Sequence, residues 1–385
     1  MSDELKKLDS AHIMSTYKRH NLILERGEGC YVYDINGKKY LDFVGGIATC
    51  TVGHANPSVN RAITEQANKL ISVSNLYYTE PQIVLAQKLS KLSGLKKVFF
   101  SHSGADANET AIKLAKKVTG KKEFIAFTNA FHGRTTGSLA LTWAQQYREP
   151  FLPLAPSVKF AKYNDLASLR QLIGKDTAAV IVEPIQGEAG IIVPDKTFLA
   201  EVRKLCTQHN VLMIIDEVQT GVGRTGTFFA YQQQQIKPDI VTIAKGLANG
   251  IPIGVCISDY ELERGEHGST LGGNSLSAAA ANATIDYIVD HNLMANAQST
   301  GDYLMDKLRV LQKTTPLIKT VRGKGLMIGV ELHKPEAGKL VEESMHNGLL
   351  CNAATPSVIR FLPPLIADKE QADECLAILQ KVIQS

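Results

Sequence analysis

The sequence predicts an α/β protein with a large domain on a mostly parallel central sheet and a smaller α+β domain. Short apolar runs rich in β-branched residues alternate with segments of helical period between about residues 97 and 257, a pattern typical of βαβ units. After about residue 285, longer helical segments and short strands replace that alternation. The length of 385 residues is sufficient for more than one domain.

Six apolar runs are the predicted strands of the large domain: 97–100, 124–127, 178–182, 211–215, 240–243 and 253–257. Between them, the segment 105–117 repeats apolar residues at helical spacing. Phe198, Val202 and Leu205 recur at intervals of three to four residues in the same way. We expect both segments to be helices that cover the sheet.

The smaller domain is predicted from a helix at 287–311, a strand at 326–332, a helix at 337–346 and a strand at 358–362. The segment 30–43 is predicted to be a hairpin that turns at Asn36-Gly37, the dipeptide that type I′ turns prefer. We therefore expect an N-terminal segment, 1–56, that packs with the small domain. The large domain would span 57–285, and the C-terminal small domain 286–385.

Charge and composition exclude several functional classes. Lys and Arg total 42 against 38 for Asp and Glu, without a basic block, so nucleic-acid binding is disfavoured. The apolar runs are shorter than the roughly 20 residues of a membrane helix, and the polar N-terminus lacks a signal peptide, which predicts a cytoplasmic protein without a membrane partner. The six scattered cysteines predict free thiols and no metal site.

A carboxylate and a lysine follow two successive predicted strands. Asp216 comes directly after the run 211–215, at the strand end where α/β proteins bind ligands. The next strand, 240–243, leads to Lys245, and Gly246 leaves space beside it. A lysine in that setting can act as an amine nucleophile. Together with a glycine-containing loop before a helix, these residues predict a pyridoxal phosphate site.

The expected chemistry explains why these residue types are needed. Lys245 would form a Schiff base with the cofactor aldehyde, and Asp216 would keep the pyridine nitrogen protonated so that the ring accepts electrons. The segment 99–108 runs from a predicted strand into a predicted helix, whose free N–H groups can hold a phosphate. The predicted phosphate contacts are Ser103, Gly104 and Ala105.

Residues 221–226, GVGRTG, fit the G-x-G-x-x-G fingerprint of dinucleotide-binding proteins and follow a predicted strand. That fingerprint also requires an acidic residue about 20 positions later, at the end of a second strand, and none is present. We therefore interpret 221–226 as a turn-rich loop. An NAD-dependent oxidoreductase and a catalytically inactive scaffold of the same fold are the alternatives from other functional classes.

A series of longer motifs resembles one enzyme family over nearly the whole chain. In order they are GKKYLDFVGGIA, NLYYTEPQ, FFSHSGADANETAIKLAKK, AFHGRT, VEPIQGEAG, IIDEVQTGVGRTG, IAKGLANGIPIG, HGSTLGGN, VRGKGLMIG and VIRFLPPL. The chain resembles the class III pyridoxal phosphate aminotransferases, the ω-amino-acid branch of fold type I. The resemblance implies the fold type I architecture.

The resemblance also implies roles around the cofactor. Lys245 is similar to the Schiff-base lysine and Asp216 to the partner of the pyridinium nitrogen. The remaining cofactor residues implied are Phe131 and Val218 on the two faces of the ring, Gln219 at the ring hydroxyl, Glu183 in the same layer, and Thr270, which resembles a threonine that reaches the phosphate of the other subunit. A homodimer with shared active sites is therefore implied.

Three charged residues resemble the family's substrate-binding groups. Arg360 is similar to the arginine that binds the α-carboxylate of glutamate or 2-oxoglutarate, and Glu188 to the carboxylate that covers this arginine when an ω-amino substrate is bound. Arg134 resembles an arginine that binds the distal carboxylate of either substrate. His102 stands where the family usually has Asn, and we expect its side chain to point away from the site.

The implied reaction transfers the δ-amino group of N-acetylornithine to 2-oxoglutarate by a ping-pong mechanism in arginine biosynthesis. Ornithine, succinylornithine, 4-aminobutyrate and a lysine-pathway aminoadipate semialdehyde amine are alternative substrates within the family. The loop 44–48 is small and apolar, whereas ornithine aminotransferases carry a tyrosine there that helps to fix unacylated ornithine. This loop favours an acylated substrate.

Overall fold

The computed structural model describes residues 2–384, whose strands form three sheets. In chain order the strands are β1 (Leu24–Glu28), β2 (Tyr31–Asp34), β3 (Lys39–Asp42), β4 (Lys97–Ser101), β5 (Glu123–Phe127), β6 (Ser157–Ala161), β7 (Thr177–Val182), β8 (Leu212–Asp216), β9 (Ile240–Ile243), β10 (Gly254–Ser258), β11 (Ile318–Lys324), β12 (Met327–Leu332), β13 (Leu349–Leu350), β14 (Asn352–Thr355) and β15 (Val358–Phe361).

Helices cover these sheets. The α-helices are Ser2–His12, Pro57–Lys69, Glu80–Ser93, Gly104–Thr119, Thr136–Leu141, Gln145–Arg148, Leu166–Leu172, Phe198–Gln208, Ser275–Asp290, Leu293–Thr314, Ala337–His346 and Lys369–Gln384. Short 3₁₀ turns lie at Glu149–Phe151, Ala230–Gln234 and Lys245–Ala248. Gly45–Ala48 forms one turn of left-handed backbone, in which all four residues have positive φ.

The large central sheet has the strand order β4-β10-β9-β8-β7-β5-β6. Strands β9, β8, β7, β5 and β6 are parallel, and only β10 runs antiparallel, to both β4 and β9. All residues of β7, β8 and β9 are buried, as expected for parallel strands covered on both faces. The predicted α/β fold class with a mostly parallel sheet is confirmed.

The sequence located most elements of this sheet to within a residue or two, and 240–243 coincides with β9. It missed β6, because this edge strand has the mixed sequence SVKFA and alternates exposed and half-buried residues. The single helix predicted at 287–311 was wrong, since Asn292 adopts φ +51 and separates Ser275–Asp290 from Leu293–Thr314. A left-handed residue cannot continue a right-handed helix.

Two smaller sheets carry the remaining strands, in the orders β1-β2-β3-β13 and β11-β12-β15-β14. The hairpin of β2 and β3 turns through Gly37, whose φ is +80. Strand β13 pairs parallel to β3, so the N-terminal hairpin shares a sheet with a C-terminal strand. Leu41 and Phe43 are buried in one apolar cluster with Leu304 and Phe361. The predicted division at residue 285 falls inside the helix Ser275–Asp290.

The loop 221–226 consists of turns, as predicted, and the short 3₁₀ segment Ala230–Gln234 follows it. Arg224 in this loop is 2% exposed. Its Nη1 donates to the carbonyl of Leu326, at 3.0 Å, and to that of Pro363. The Leu326 N–H in turn donates to the carbonyl of Arg224. The loop therefore joins the large sheet to the β11–β12 turn and to the segment after β15.

Within residues 2–384, no helix has both the length and the apolar character needed to cross a membrane. The same range contains no group of three or more His, Cys, Asp and Glu side chains arranged to hold a metal ion. All six cysteines are free thiols, and only Cys50 is not fully buried.

We expect Arg224→Ala to lower the free energy of unfolding by about 3 kcal/mol, because it removes a buried charged donor and leaves two buried carbonyls without partners. Chemical denaturation of the cofactor-free protein measures this change. Arg170→Ala is the matched control, since Arg170 is exposed and should change stability by less than about 0.5 kcal/mol. Equal stability of the two variants would show that the Arg224 contacts contribute nothing.

Candidate active site

A cavity of about 470 Å³ lies at the carboxyl ends of β8 and β9, a volume within the usual range for small-molecule sites. Its wall brings together most of the residues that the sequence singled out. These are Ser103, Gly104, Ala105, Phe131, Arg134, Glu183, Glu188, Asp216, Val218, Gln219 and Lys245. Arg360 lies behind this wall, in contact with Glu188 and Gln219. Thr270 does not line the cavity.

Asp216 is the last residue of β8 and is 4% exposed. Three hydrogen bonds fix the orientation of its carboxylate. Its Oδ2 accepts from Asn108 Nδ2 and lies 2.8 Å from His132 Nδ1, while its Oδ1 accepts from the Val218 N–H. Because a carboxylate only accepts, the His132 ring presents its Nδ1–H to Asp216. Asn108 is itself oriented by Thr242, which pairs with Asp216 in the β8–β9 register.

Lys245 begins the 3₁₀ turn after β9 and has the unusual φ of +45. The backbone is close-packed here, because a Cβ on Gly246 would collide with the Thr51 hydroxyl. Within the described residues the Lys245 amine has no hydrogen bond and no ion pair. Burial lowers the pKa of Lys245, although Glu188 and Asp216 act in the opposite direction. The side chain is thus an unpaired amine at the cavity.

The helix Gly104–Thr119 begins at the cavity wall. Ser103 is its N-cap and accepts from the Asp106 N–H, which leaves the N–H groups of Gly104 and Ala105 without intrahelical partners. A Cβ on Gly104 would lie 2.7 Å from a Val218 methyl group, so only glycine allows this close approach. Free N–H groups at a helix start form a site suited to a phosphate.

Glu183 follows β7 and is 7% exposed. Its carboxylate accepts from the Phe131 N–H at 3.0 Å and from the Gly187 N–H at 3.2 Å. Burial raises the pKa of Glu183 to about 7, with a further contribution from Asp216 and an opposing one from His132. Glu183 therefore fixes the backbone of Phe131, a residue that lines the cavity.

Arg360 on β15 is the largest fully buried side chain, at 1% exposure. Its Nη1 donates to Glu188 at 2.6 Å and to Gln219 Oε1 at 3.2 Å, and its Nε donates to Asn352 Oδ1. Burial alone would raise the pKa of Glu188, but the charge and hydrogen bond of Arg360 hold it below its ordinary value. Glu188 is 37% exposed on its side chain, so this carboxylate reaches the cavity.

Arg134 is exposed at the cavity wall, with its guanidinium 3.6 Å from the ring centroid of Tyr147 and 5.6 Å from that of Phe131. The charge therefore lies at the mouth of the cavity. The loop 44–48 was predicted to accommodate the substrate. Ala48 of this loop packs into an apolar cluster, and the next residue, Thr49, lines the cavity.

Thr270 is exposed and lines a second cavity of about 380 Å³, whose wall does not include Lys245. His102 lines both cavities, and the polar contacts of its side chain are with residues of the second one, so the expectation that this side chain points away from the Lys245 site stays a prediction. Its Nε2 lies 3.3 Å from the Ser269 hydroxyl, and its Nδ1 lies 3.5 Å from Asp106. The contact between His102 and Ser269 joins residues 167 positions apart, which sequence spacing does not reveal.

Sequence reasoning did not identify the residues that hold the charged groups in place. Asn108 and Thr242 support Asp216, and Asn352 supports Arg360. The motif that contains Asn108 was recognised, but its contact with Asp216 requires the packing of a helix against β8. The contacts of Thr242 and Asn352 follow from strand order and register, which a single sequence does not provide.

The residues of the cavity fit pyridoxal phosphate. The free amine of Lys245 matches the aldehyde, the buried carboxylate of Asp216 matches a ring nitrogen, and the cradle at Gly104 matches the phosphate. Phe131 and Val218 supply the apolar surfaces that a flat ring requires.

Comparison with known proteins agrees with this geometry. The family Aminotransferase class-III matches residues 13–383. The acetylornithine aminotransferase of Archaeoglobus fulgidus is 44% identical over 96% of this chain and 98% of its own length. That of Methanosarcina mazei is 46% identical over 98% and 96%.

The fold matches solved structures of the same kind. A structure of the ornithine aminotransferase from Toxoplasma gondii, described with partial occupancy of pyridoxal phosphate at its active site, has a TM-score of 0.96 and 30% identity. The match covers 100% of this chain and 94% of the Toxoplasma gondii chain. The predicted fold type I architecture is confirmed. The chain belongs to the class-III aminotransferase family and is a pyridoxal-phosphate-dependent aminotransferase.

Proposed function

We propose that this enzyme transfers the δ-amino group of N-acetylornithine to 2-oxoglutarate in two half-reactions, with glutamate as the second product. The observation that carries the proposal is the buried Arg360, whose charge is covered by the partly exposed Glu188 at the edge of the Lys245 cavity. N-acetylornithine has its reacting amine far from the α-carboxylate, whereas glutamate carries both groups on one carbon. Arg360 covered by Glu188 suits N-acetylornithine, and uncovered Arg360 suits glutamate.

The cofactor would be held by groups that are already oriented. The N–H groups of Gly104 and Ala105, with the Ser103 side chain, would bind the phosphate at the helix N-terminus. Phe131 and Val218 would enclose the ring. Gln219 would face the ring hydroxyl and Glu183 would support the same layer, since both line the cavity.

Pyridoxal phosphate, when bound, supplies an electron sink for the charge left on the substrate carbon after proton loss. Lys245 would take that proton from the amine-bearing carbon of the donor and deliver it to the cofactor carbon that receives the amino group. Its amine suits this role because it is unpaired and because burial lowers its pKa, which favours the neutral amine. Asp216 would hold a proton on the ring nitrogen through its negative charge. His132 and Asn108 would keep the Asp216 carboxylate aimed in this role.

Two charged groups would distinguish the substrates. For glutamate or 2-oxoglutarate, Glu188 would move aside and Arg360 would bind the α-carboxylate with its planar guanidinium. For the ω-amino donor, Glu188 would stay on Arg360 and neutralise it. Arg134, at the mouth of the cavity, would bind the distal carboxylate of either substrate.

A homodimer would complete each site. Thr270 is exposed and outside the Lys245 cavity of its own chain, which is compatible with a role in the site of a partner. Its hydroxyl would then reach the phosphate held by the partner's helix N-terminus.

An acylated substrate is favoured by the names of the relatives at 44% and 46% identity, both acetylornithine aminotransferases. The left-handed turn at Gly45–Ala48 leads to Thr49, the residue of this segment that lines the cavity, and Thr49 offers a hydroxyl but no charge. Free ornithine would bring an α-ammonium group beside Thr49, where desolvation without a charged partner is costly.

We expect Lys245→Ala to fold but to lose at least about a thousandfold in turnover, because the proton-transferring amine is gone. Borohydride treatment of the holoenzyme followed by peptide mapping should place the pyridoxyl label on Lys245. Lys237→Ala is the control, since Lys237 is 57% exposed and pairs with Asp259 at the surface. A label on any other lysine would refute the assignment.

Mixed dimers test the position of Thr270. We expect Lys245→Ala chains and Thr270→Ala chains to be weakly active alone but to regain activity after subunit exchange. One of the two heterodimer sites then has both Lys245 and a Thr270 from its partner. Mass spectrometry must show that heterodimers form, and no recovery in their presence would indicate that each site is built within one chain.

We expect kcat/KM for N-acetylornithine to exceed that for ornithine by at least about 100-fold, which corresponds to about 2.7 kcal/mol. The physical reason is the unpaired α-ammonium group of ornithine. Steady-state assays with 2-oxoglutarate as acceptor measure the ratio, with succinylornithine and 4-aminobutyrate as further donors. Equal efficiency with ornithine, or a higher efficiency with 4-aminobutyrate, would contradict the proposed substrate.

A further inference from the structure

Two arginines flank a glycine in one row across the sheet β11-β12-β15-β14. Arg322 pairs with Gly329, Gly329 pairs with Arg360, and Arg360 pairs with Asn352. The row therefore carries one guanidinium group on each side of Gly329, which has no side chain. Arg360 is the residue covered by Glu188.

The Glu188 segment, defined as residues 186–192, lies over this glycine. A Cβ on Gly329 would be 3.1 Å from Ile191 Cβ and 3.2 Å from the Gly190 carbonyl oxygen. Gly190 has φ +96, a conformation that other residues rarely adopt. The segment thus contacts the sheet at backbone distance, next to the strand that carries Arg360.

Arg322 holds this segment by its backbone. Its Nε donates to the carbonyls of Gly190 at 3.0 Å and Ile191 at 2.9 Å, and its Nη2 donates to Gly190 at 2.7 Å. Its Nη1 pairs with Glu331, and its side chain is 19% exposed. One planar side chain therefore satisfies two carbonyls that lie two and three positions after Glu188.

The base of the segment has attachments of its own. Gln186 and Ile192 exchange two backbone hydrogen bonds, at 3.1 and 3.0 Å, and Gln186 Nε2 donates to the Thr128 carbonyl. The Gly187 N–H donates to Glu183.

The part of the segment after Gly187 contacts the sheet directly. Glu188 contacts Arg360 and Gln219, and Ile191 packs in an apolar cluster with Met327 of β12. The carbonyls of Gly190 and Ile191 add a polar link to the strands on which Arg360 lies, and Arg322 makes that link.

We propose that Arg322 is a positioning residue that holds the Glu188 segment against β12, so that Glu188 covers Arg360 when an ω-amino substrate is bound. This inference rests on the proposed function of Glu188 and Arg360. Arg322 does not touch the substrate. It sets the preference between the two donors through the placement of the segment.

A guanidinium is needed for this role. Its fork reaches two carbonyls and a carboxylate at once, whereas a lysine ammonium is a point charge on a flexible stem. Lys319 provides a matched control, because it lies on the same strand and pairs with the same Glu331, at 2.6 Å. No contact joins Lys319 to the Glu188 segment among the described residues.

The first test compares donors in single-turnover half-reactions of the holoenzyme, followed by cofactor absorbance. Arg322→Gln should lower kcat/KM for N-acetylornithine at least about tenfold and change that for L-glutamate by less than about threefold. Lys319→Gln should leave the ratio of the two values unchanged. Glu188→Gln should shift the ratio in the same direction as Arg322→Gln, and the double variant should add little to it, because both act on one contact.

The second test measures amide hydrogen exchange in the cofactor-free protein. Peptides that cover 186–192 should exchange their amide hydrogens faster in Arg322→Gln than in the wild type. In Lys319→Gln, the exchange rate of these peptides should equal that of the wild type. Should Arg322→Gln fail to fold, Arg322→Lys should show the same two effects at smaller size.

The outcomes separate this inference from the proposed function. A shifted donor ratio in Glu188→Gln together with an unchanged ratio in Arg322→Gln overturns the role of Arg322 alone. An unchanged ratio in Glu188→Gln overturns the proposed role of Glu188 and with it this inference. Full additivity of the two substitutions would also overturn it, since independent effects do not act through one segment.

Discussion

The buried charge of Arg360 is the constraint on which the arrangement of the site depends. A guanidinium at 1% exposure is destabilising unless it is paired and hydrogen-bonded. Asn352 and Gln219 supply neutral partners, and within residues 2–384 Glu188 supplies the only carboxylate. Because this single counter-charge is on a partly exposed side chain, we propose that a carboxylate of a substrate takes its place.

The other half of the site is rigid by comparison. Asp216 is held by three donors from three different parts of the chain, and Asn108, one of these, is held in turn by Thr242 on the neighbouring strand. Arg224 joins the loop after Asp216 to the carbonyl of Leu326, just before β12, and to that of Pro363, just after β15. Arg224 thereby connects the sheet that carries Asp216 to the sheet that carries Arg360.

The sequence was informative where the position of a residue follows from the end of a strand. The placement of Asp216 and Lys245 at one cavity could be predicted because apolar runs marked the strands, and parallel strands end at one edge of the sheet. Glu188 and Arg360 could be nominated only from the family resemblance, since their pairing joins residues 172 positions apart. The contact of Arg322 with Gly190 was not predictable, because it depends on the register of β11 with β12 and on a loop from the other sheet. The break at Asn292 was missed although asparagine is among the residues that most often adopt a positive φ, because that tendency alone does not show which asparagine ends a helix.

The exchange of carboxylates at Arg360 is tested most directly by crystal structures of the holoenzyme with two ligands that lack an amine. Glutarate represents the dicarboxylate substrate, and 2-acetamidopentanoate represents the acylated donor without its δ-amine. With glutarate, a ligand carboxylate should pair with Arg360, and Glu188 should move beyond ion-pair distance. With 2-acetamidopentanoate, the pair of Glu188 with Arg360 should persist. A Glu188–Arg360 contact that stays at its present 2.6 Å with glutarate bound in the Lys245 cavity would contradict the account.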